Sequence, residues 1–252
     1  MANTLEHSHD PLEISARLTE SNQNFLKDGI YGAIDGAVTT FAIVSGVAGA
    51  GLSPTIVIIL GSANLVGDGF SMAASNFLGT RAENQRADQL RQVEQRHIEQ
   101  CPEGEREEVR QILASQGFDG ELLEAATDQI TSNQKNWIET MLPHEYGIAV
   151  EAGQPVRAAT VTFVAFVIFG AIPLLPYAAE SLGAAESREA NGSDLFGFSS
   201  AMTAAAFFLV GALKSRFVQQ PWWLAGLETL IVGAAAAALA FIVGKLLASF
   251  GA

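Results

Sequence analysis

The chain has 252 residues, 49% of them hydrophobic and 16% charged, and a net charge of −13 at pH 7. That acidity excludes a nucleic-acid partner, whose phosphates call for lysine and arginine, and suits cations instead. The single cysteine, Cys101, excludes an internal disulfide and speaks against a thiolate-rich metal site.

The average hides two phases. Residues 81–157 are rich in Glu, Gln and Arg, while the flanking segments are almost free of charge. One soluble domain would not segregate in this way, so the fold class reads as an all-α membrane protein of five transmembrane helices with a polar helical insertion between helices 2 and 3. The expected division is 1–28 as an N-terminal segment, 29–80 as spans 1 and 2, 81–155 as the insertion, and 156–252 as spans 3 to 5.

The N-terminus lacks the basic and then apolar run of a cleaved signal peptide, so the first span is expected to direct insertion. His7 and His9 sit in a polar, disordered-looking stretch and read as an inert terminal pair. Apolar residues at Leu12, Ile14, Leu18, Phe25 and Leu26 predict a weakly amphipathic helix over 12–27. Residues 30–52 form the first span and contain Asp35, with Asp28 two turns earlier. Gly32 and Gly36 make a small-xxx-small pair that lets helices approach closely in lipid. Ser53-Pro54 is a turn, and 55–78 is the second span.

The second span carries polar groups every four residues, at Asn64, Asp68, Met72 and Asn76, which an α-helix places on one face. The two spans form a hairpin with a buried carboxylate on each arm. A carboxylate at membrane depth is costly unless it faces a bundle interior or a water-filled path. Asp35, Asp68, Met72 and Asn64, supported by Thr39, are therefore the candidate lining of a cation pathway. Carboxylates with one thioether favour Fe²⁺, then Zn²⁺, Co²⁺ or Mn²⁺, over Mg²⁺ or Ca²⁺. A carboxylate there can also exchange a proton for a metal ion.

With no Gly or Pro after Gly79, the second span is expected to run on as one long helix to Gln100. Cys101-Pro102 breaks it. Helices are predicted over 103–116, with Gly117 as C-cap, over 120–132, capped by Asp119, and over 134–142, ended by Pro143. Val109, Ile112, Leu113, Leu122, Leu123, Ile130, Trp137 and Ile138 give them a small core. Two pairs stand out: Glu94-x-x-His97 and Glu105-x-x-Glu108. Spacing of i, i+3 puts both members on one face, and Glu-x-x-His is the spacing of di-metal carboxylate bundles. The break at Cys101-Pro102 can fold the pairs together, with Met141 and Glu145 as a third contributor. Taken alone, a glutamate in so acidic a segment reads first as a solvated helix face.

Residues 156–179 are the third span, interrupted by Pro173 and Pro176; 195–213 are the fourth and 222–247 the fifth, with Trp222 and Trp223 at an interface. With five spans, every Lys and Arg except Arg188 and Lys245 falls on one side. By the positive-inside rule the N-terminus and insertion face the cytosol.

The stretches YGAIDGAVTTFAIVSGVAGA and NLVGDGFSMAASNFLGTRAE resemble the vacuolar iron transporter family, which includes yeast vacuolar iron/manganese carriers and plant nodulin-like members. The likeness runs from about Tyr31 to the fifth span. It implies a homodimer that exchanges Fe²⁺, and often Mn²⁺, for protons along a path between subunits, with Asp35 and Met72 at the family's pathway positions. It also implies that Glu94, Glu105, Glu108, Met141 and Glu145 are ligands of a cytoplasmic metal-binding domain. His97 stands where a Glu is usual, Leu142 where a second Met is usual, and Asn64 replaces a carboxylate of some members. The expected function is a proton-coupled exporter of Fe²⁺ and Mn²⁺ from the cytosol, not an enzyme and without a resident cofactor, in a bacterial inner membrane or a vacuolar membrane. Its partners are metal ions, protons, lipid and a second copy of the chain. The alternative is a membrane-anchored ferroxidase or metal sensor.

Overall fold

The computed structural model describes residues 10–19, 25–183, 192–216 and 220–250. His7, His9 and Arg188 lie outside them. The regular elements among the described residues are all helices: α1 (Pro11–Thr19), α2 (Leu26–Gly49), α3 (Pro54–Gln100), α4 (Pro102–Ser115), α5 (Gly120–Thr131), α6 (Gln134–Glu145), α7 (Pro155–Ala171), a 3₁₀ turn (Ile172–Leu174), α8 (Leu175–Ser181), α9 (Gly192–Lys214) and α10 (Trp222–Phe250). Among the described residues, five helices are long and apolar enough to cross a membrane: Leu26–Gly49, Pro54–Gln100, Pro155–Ser181, Gly192–Lys214 and Trp222–Phe250. The chain is a multi-pass membrane protein by this measure. It divides into two compact units, one built on Gly79–Gln154 and the other on Asn24–Leu78 with Pro155–Ala252.

In the apolar unit, α2 packs against α7, α9 and α10. Its buried face supplies Ala37, Phe41, Val44 and Val47 to a core completed by Val57, Leu174, Tyr177, Leu195 and Phe207. The Gly32/Gly36 pair works as its spacing suggests. A Cβ built on Gly32 would fall on the Thr162 carbonyl, and one on Gly36 on the Phe166 carbonyl. These contacts rise together along the sequence, so α2 and α7 run parallel. Gly36→Leu, which overfills this seam, is expected to lower stability by about 1–3 kcal/mol. Equilibrium unfolding in detergent checks this, and an unchanged midpoint would refute the close approach.

The predicted 12–27 helix differs from what is found: α1 ends at Thr19, and Leu26 already begins α2. The third span bends as expected through a 3₁₀ turn holding Pro173, with Pro176 at the start of α8.

In the polar unit, α4, α5 and α6 close over Val109, Leu113, Leu123, Trp137 and Met141, with Ile98 of α3 packed against them. Gly117 takes φ +97°, a left-handed conformation that suits glycine after a helix end. Two local expectations fail. Asp119 is extended at the start of α5, yet its side chain makes no capping bond. Pro143 does not end α6, which runs to Glu145. The proline removes one ladder bond, but the Leu142 carbonyl accepts from the backbone N–H of Tyr146 at 3.2 Å and of Ile148 at 3.3 Å, holding the last turn closed. The continuation carries Glu145 and Tyr146 around the helix end. The returning chain is then tied to α3: the Asn84 amide donates to the Gly153 carbonyl and accepts from its N–H, and Arg91 donates to the Val150 carbonyl at 2.7 Å.

Candidate metal centre

The turn at Cys101-Pro102 brings the end of α3 beside the start of α4. Glu94 and His97 then meet Glu105, with one ligand atom from each within 4.8 Å of the others. His97 Nδ1 lies 3.4 Å from Glu105 Oε1 and 4.0 Å from Glu94 Oε1. Glu94 is fully buried and Glu105 6% exposed. The Oε2 atoms of both are buried without a hydrogen-bond partner among the described residues. Two buried carboxylates this close, each with an oxygen left over, are costly unless a cation sits between them. The donor set of carboxylate oxygen and imidazole suits a first-row divalent ion.

Electrostatics extend the cluster beyond those three. Burial first, then the charges of Glu108 and Glu94, push the Glu105 carboxyl up to about 7, with His97 opposing. Glu145 is also raised, by burial and by the charges of Glu94 and Glu108. Glu108 and Glu145 are exposed but lie within electrostatic reach of the buried pair. Glu107, one residue from Glu108, behaves as an ordinary surface acid. Arg110 grips it at 2.6 and 3.0 Å and holds it down at about 2.

Met141, expected as a ligand, lies in the small core of the polar unit. It is fully buried among Val109, Leu113, Leu123 and Trp137, as a packing residue of the small core. Tyr146 was not legible as a site residue. Its phenol donates to Glu94 Oε1 at 2.7 Å. Burial, then hydrogen bonds to Glu94 and Glu145, hold its proton far above the usual phenol range. The only sequence signal was an aromatic hydroxyl beside Glu145 at a helix end.

In the apolar unit the polar residues of the first two spans do meet. Asn64 Nδ2 donates to the hydroxyls of Thr39 and Thr40, each at 3.2 Å. The Thr39 hydroxyl in turn donates to the Asp35 carbonyl at 2.9 Å. Asp35 and Asp68 lie close enough for their charges to act on each other. Asn76 Nδ2 donates to Asp28 Oδ1 at 3.0 Å and to the Thr162 hydroxyl at 2.7 Å. Asp35 and Met72 are half-buried. Asp68, expected to be buried, is exposed. The chain's own helices leave its face of α3 uncovered, and Val66 and Phe70 beside it are 68% and 69% exposed.

Comparison with known proteins identifies the family. The model of the VIT family matches residues 26–245. A vacuolar iron transporter of Plasmodium berghei (strain Anka) is 30% identical over 247 residues, 96% of this chain and 89% of that one. One from Plasmodium falciparum (isolate 3D7) is 31% identical over 234 residues, 90% and 85% of the two chains. Vacuolar iron transporter 1 of Arabidopsis thaliana is 30% identical over 223 residues, 87% and 85%. The chain belongs to the VIT family.

Proposed function

We propose that this protein is a proton-coupled carrier of Fe²⁺, and of Mn²⁺, that moves metal out of the cytosol. Its polar unit faces the cytosol and captures the ion at Glu94, His97 and Glu105, assisted by Glu108 and Glu145. The observation that carries the reading is the convergence of those three ligands with two buried, unpartnered carboxylate oxygens. The names of the relatives point to iron as the cargo.

Asp35, Asp68, Asn64 and Met72 form the path through the membrane. Two carboxylates, Asp35 and Asp68, balance one divalent ion in one direction and two protons in the other, so each leg crosses without an uncompensated charge. The exposure of Asp68 supports a homodimer: a carboxylate at membrane depth needs cover, and a second copy of the same face supplies it.

A membrane-anchored ferroxidase or sensor is the second reading, favoured by the placement of the ligand cluster in a compact unit of its own. Asp35 and Asp68 speak against it, because an anchor has no use for them. Reconstituted vesicles separate the two. A carrier accumulates Fe²⁺ inside, chelatable by an internal dye. Ferric iron forming outside with no internal signal would replace the carrier by the ferroxidase.

A further inference from the structure

We infer that Tyr146 is a positioning residue that sets which ions the Glu94–His97–Glu105 centre accepts, by leaving Glu94 only one free oxygen. This rests on the metal-binding reading above and concerns its selectivity. The Tyr146 phenol donates to Glu94 Oε1 at 2.7 Å, and His97 Nδ1 lies 4.0 Å from the same oxygen. Oε2 is the atom left without a partner among the described residues. A neutral phenol donates a hydrogen bond, and Oε1, which accepts it, is the weaker of the two Glu94 oxygens toward an ion. Glu94 therefore presents a single strong donor to an ion.

The tyrosine is itself fixed on both sides. Its N–H bonds the carbonyl of fully buried Leu142, and Gly147 after it takes φ +65°, turning the chain sharply out of α6. Beyond it, Val150 is held by Arg91 and Gly153 by Asn84, so the segment lies along α3 with little slack. Those ties fix the backbone from which the ring projects.

One-oxygen carboxylates discriminate by ion. Ca²⁺ takes six to eight oxygen ligands and readily uses both oxygens of a carboxylate. Smaller first-row ions need fewer donors and accept imidazole. With Oε1 tied to the phenol, Glu94 offers an ion one full-strength oxygen, Oε2, rather than two, which disfavours Ca²⁺. Removing the hydroxyl frees Oε1, and Glu94 can chelate.

The test uses the full-length protein in detergent, with wild type, Tyr146→Phe and Glu94→Gln. Co²⁺ is titrated by its visible absorption, and Ca²⁺ by its competition for the same site. Tyr146→Phe is expected to weaken Co²⁺ binding about tenfold or more, the usual effect of losing a hydrogen bond to a ligand. Ca²⁺ binding holds or strengthens, so the Co²⁺/Ca²⁺ affinity ratio falls by at least about tenfold. A tyrosine that merely props the fold would weaken both ions alike; an unchanged ratio overturns the inference while Glu94→Gln still abolishes the Co²⁺ spectrum. If Glu94→Gln leaves that spectrum intact, the metal-centre reading falls, and this inference with it.

Discussion

Asp35→Ala is expected to abolish metal uptake into reconstituted vesicles while the protein still folds and assembles. The side chain is half-buried on α2, within electrostatic reach of Asp68 and one turn from Thr39, whose hydroxyl accepts from Asn64. Its removal takes a charge from the proposed path. Losing only a hydrogen bond to a ligand costs about 10–100-fold in metal affinity, so losing the ligand itself should cost more, and flux should fall by at least about a hundredfold. The packing of α2 does not depend on it, because Gly32, Gly36, Phe41 and Val44 carry those contacts. Melting behaviour and the mass of the particle in detergent should therefore stay as in wild type. Normal flux in the variant would remove Asp35 from the mechanism. Asn64→Ala should be milder, since Thr39 and Thr40 lose a partner but no charge leaves.

The second large effect belongs to the polar unit. Glu94→Gln keeps the shape of a fully buried side chain and removes its charge. Mn²⁺ affinity, read by calorimetric titration of the full-length protein, should drop by about a hundredfold or more. Glu107→Gln should change nothing, because that carboxylate is already committed to Arg110. Wild-type binding should also depend on pH in a definite direction. Metal binds the ionised carboxylate, and Glu105 holds its proton up to about 7. Above that pH the ligand is ready. Below it, each bound ion must displace a proton, and affinity falls by about tenfold per pH unit for one such proton. A titration flat between pH 5.5 and 8 would show that Glu105 is not a ligand.

Much of this was written in local pattern. The long helix Pro54–Gln100 follows from the lack of Gly and Pro between Gly79 and Cys101, and the break from Pro102. The i, i+3 pairs gave two sides of the ligand cluster, because helix geometry alone puts Glu94 beside His97. What brings the pairs together is tertiary, and spacing only made it feasible. Pro143 misled because its cost is one hydrogen bond, and the bonds to the Leu142 carbonyl offset it. Met141 was expected as a ligand from its place near the helix end and from the family resemblance, and its burial in the small core was not legible in that pattern. Tyr146 was invisible because no periodicity marks a residue one step past a helix end. The stripe through Asn64, Asp68, Met72 and Asn76 was legible, but not that the chain alone would leave Asp68 uncovered.

The most direct test of metal-for-proton exchange is Fe²⁺ uptake into proteoliposomes loaded with a pH-sensitive dye and followed together with internal iron. The exchange predicts that Fe²⁺ entry moves protons outward in step, raising internal pH, and that an uncoupler collapses accumulation. Fe²⁺ entering with no change in internal pH, and accumulating as well with an uncoupler present, would contradict it.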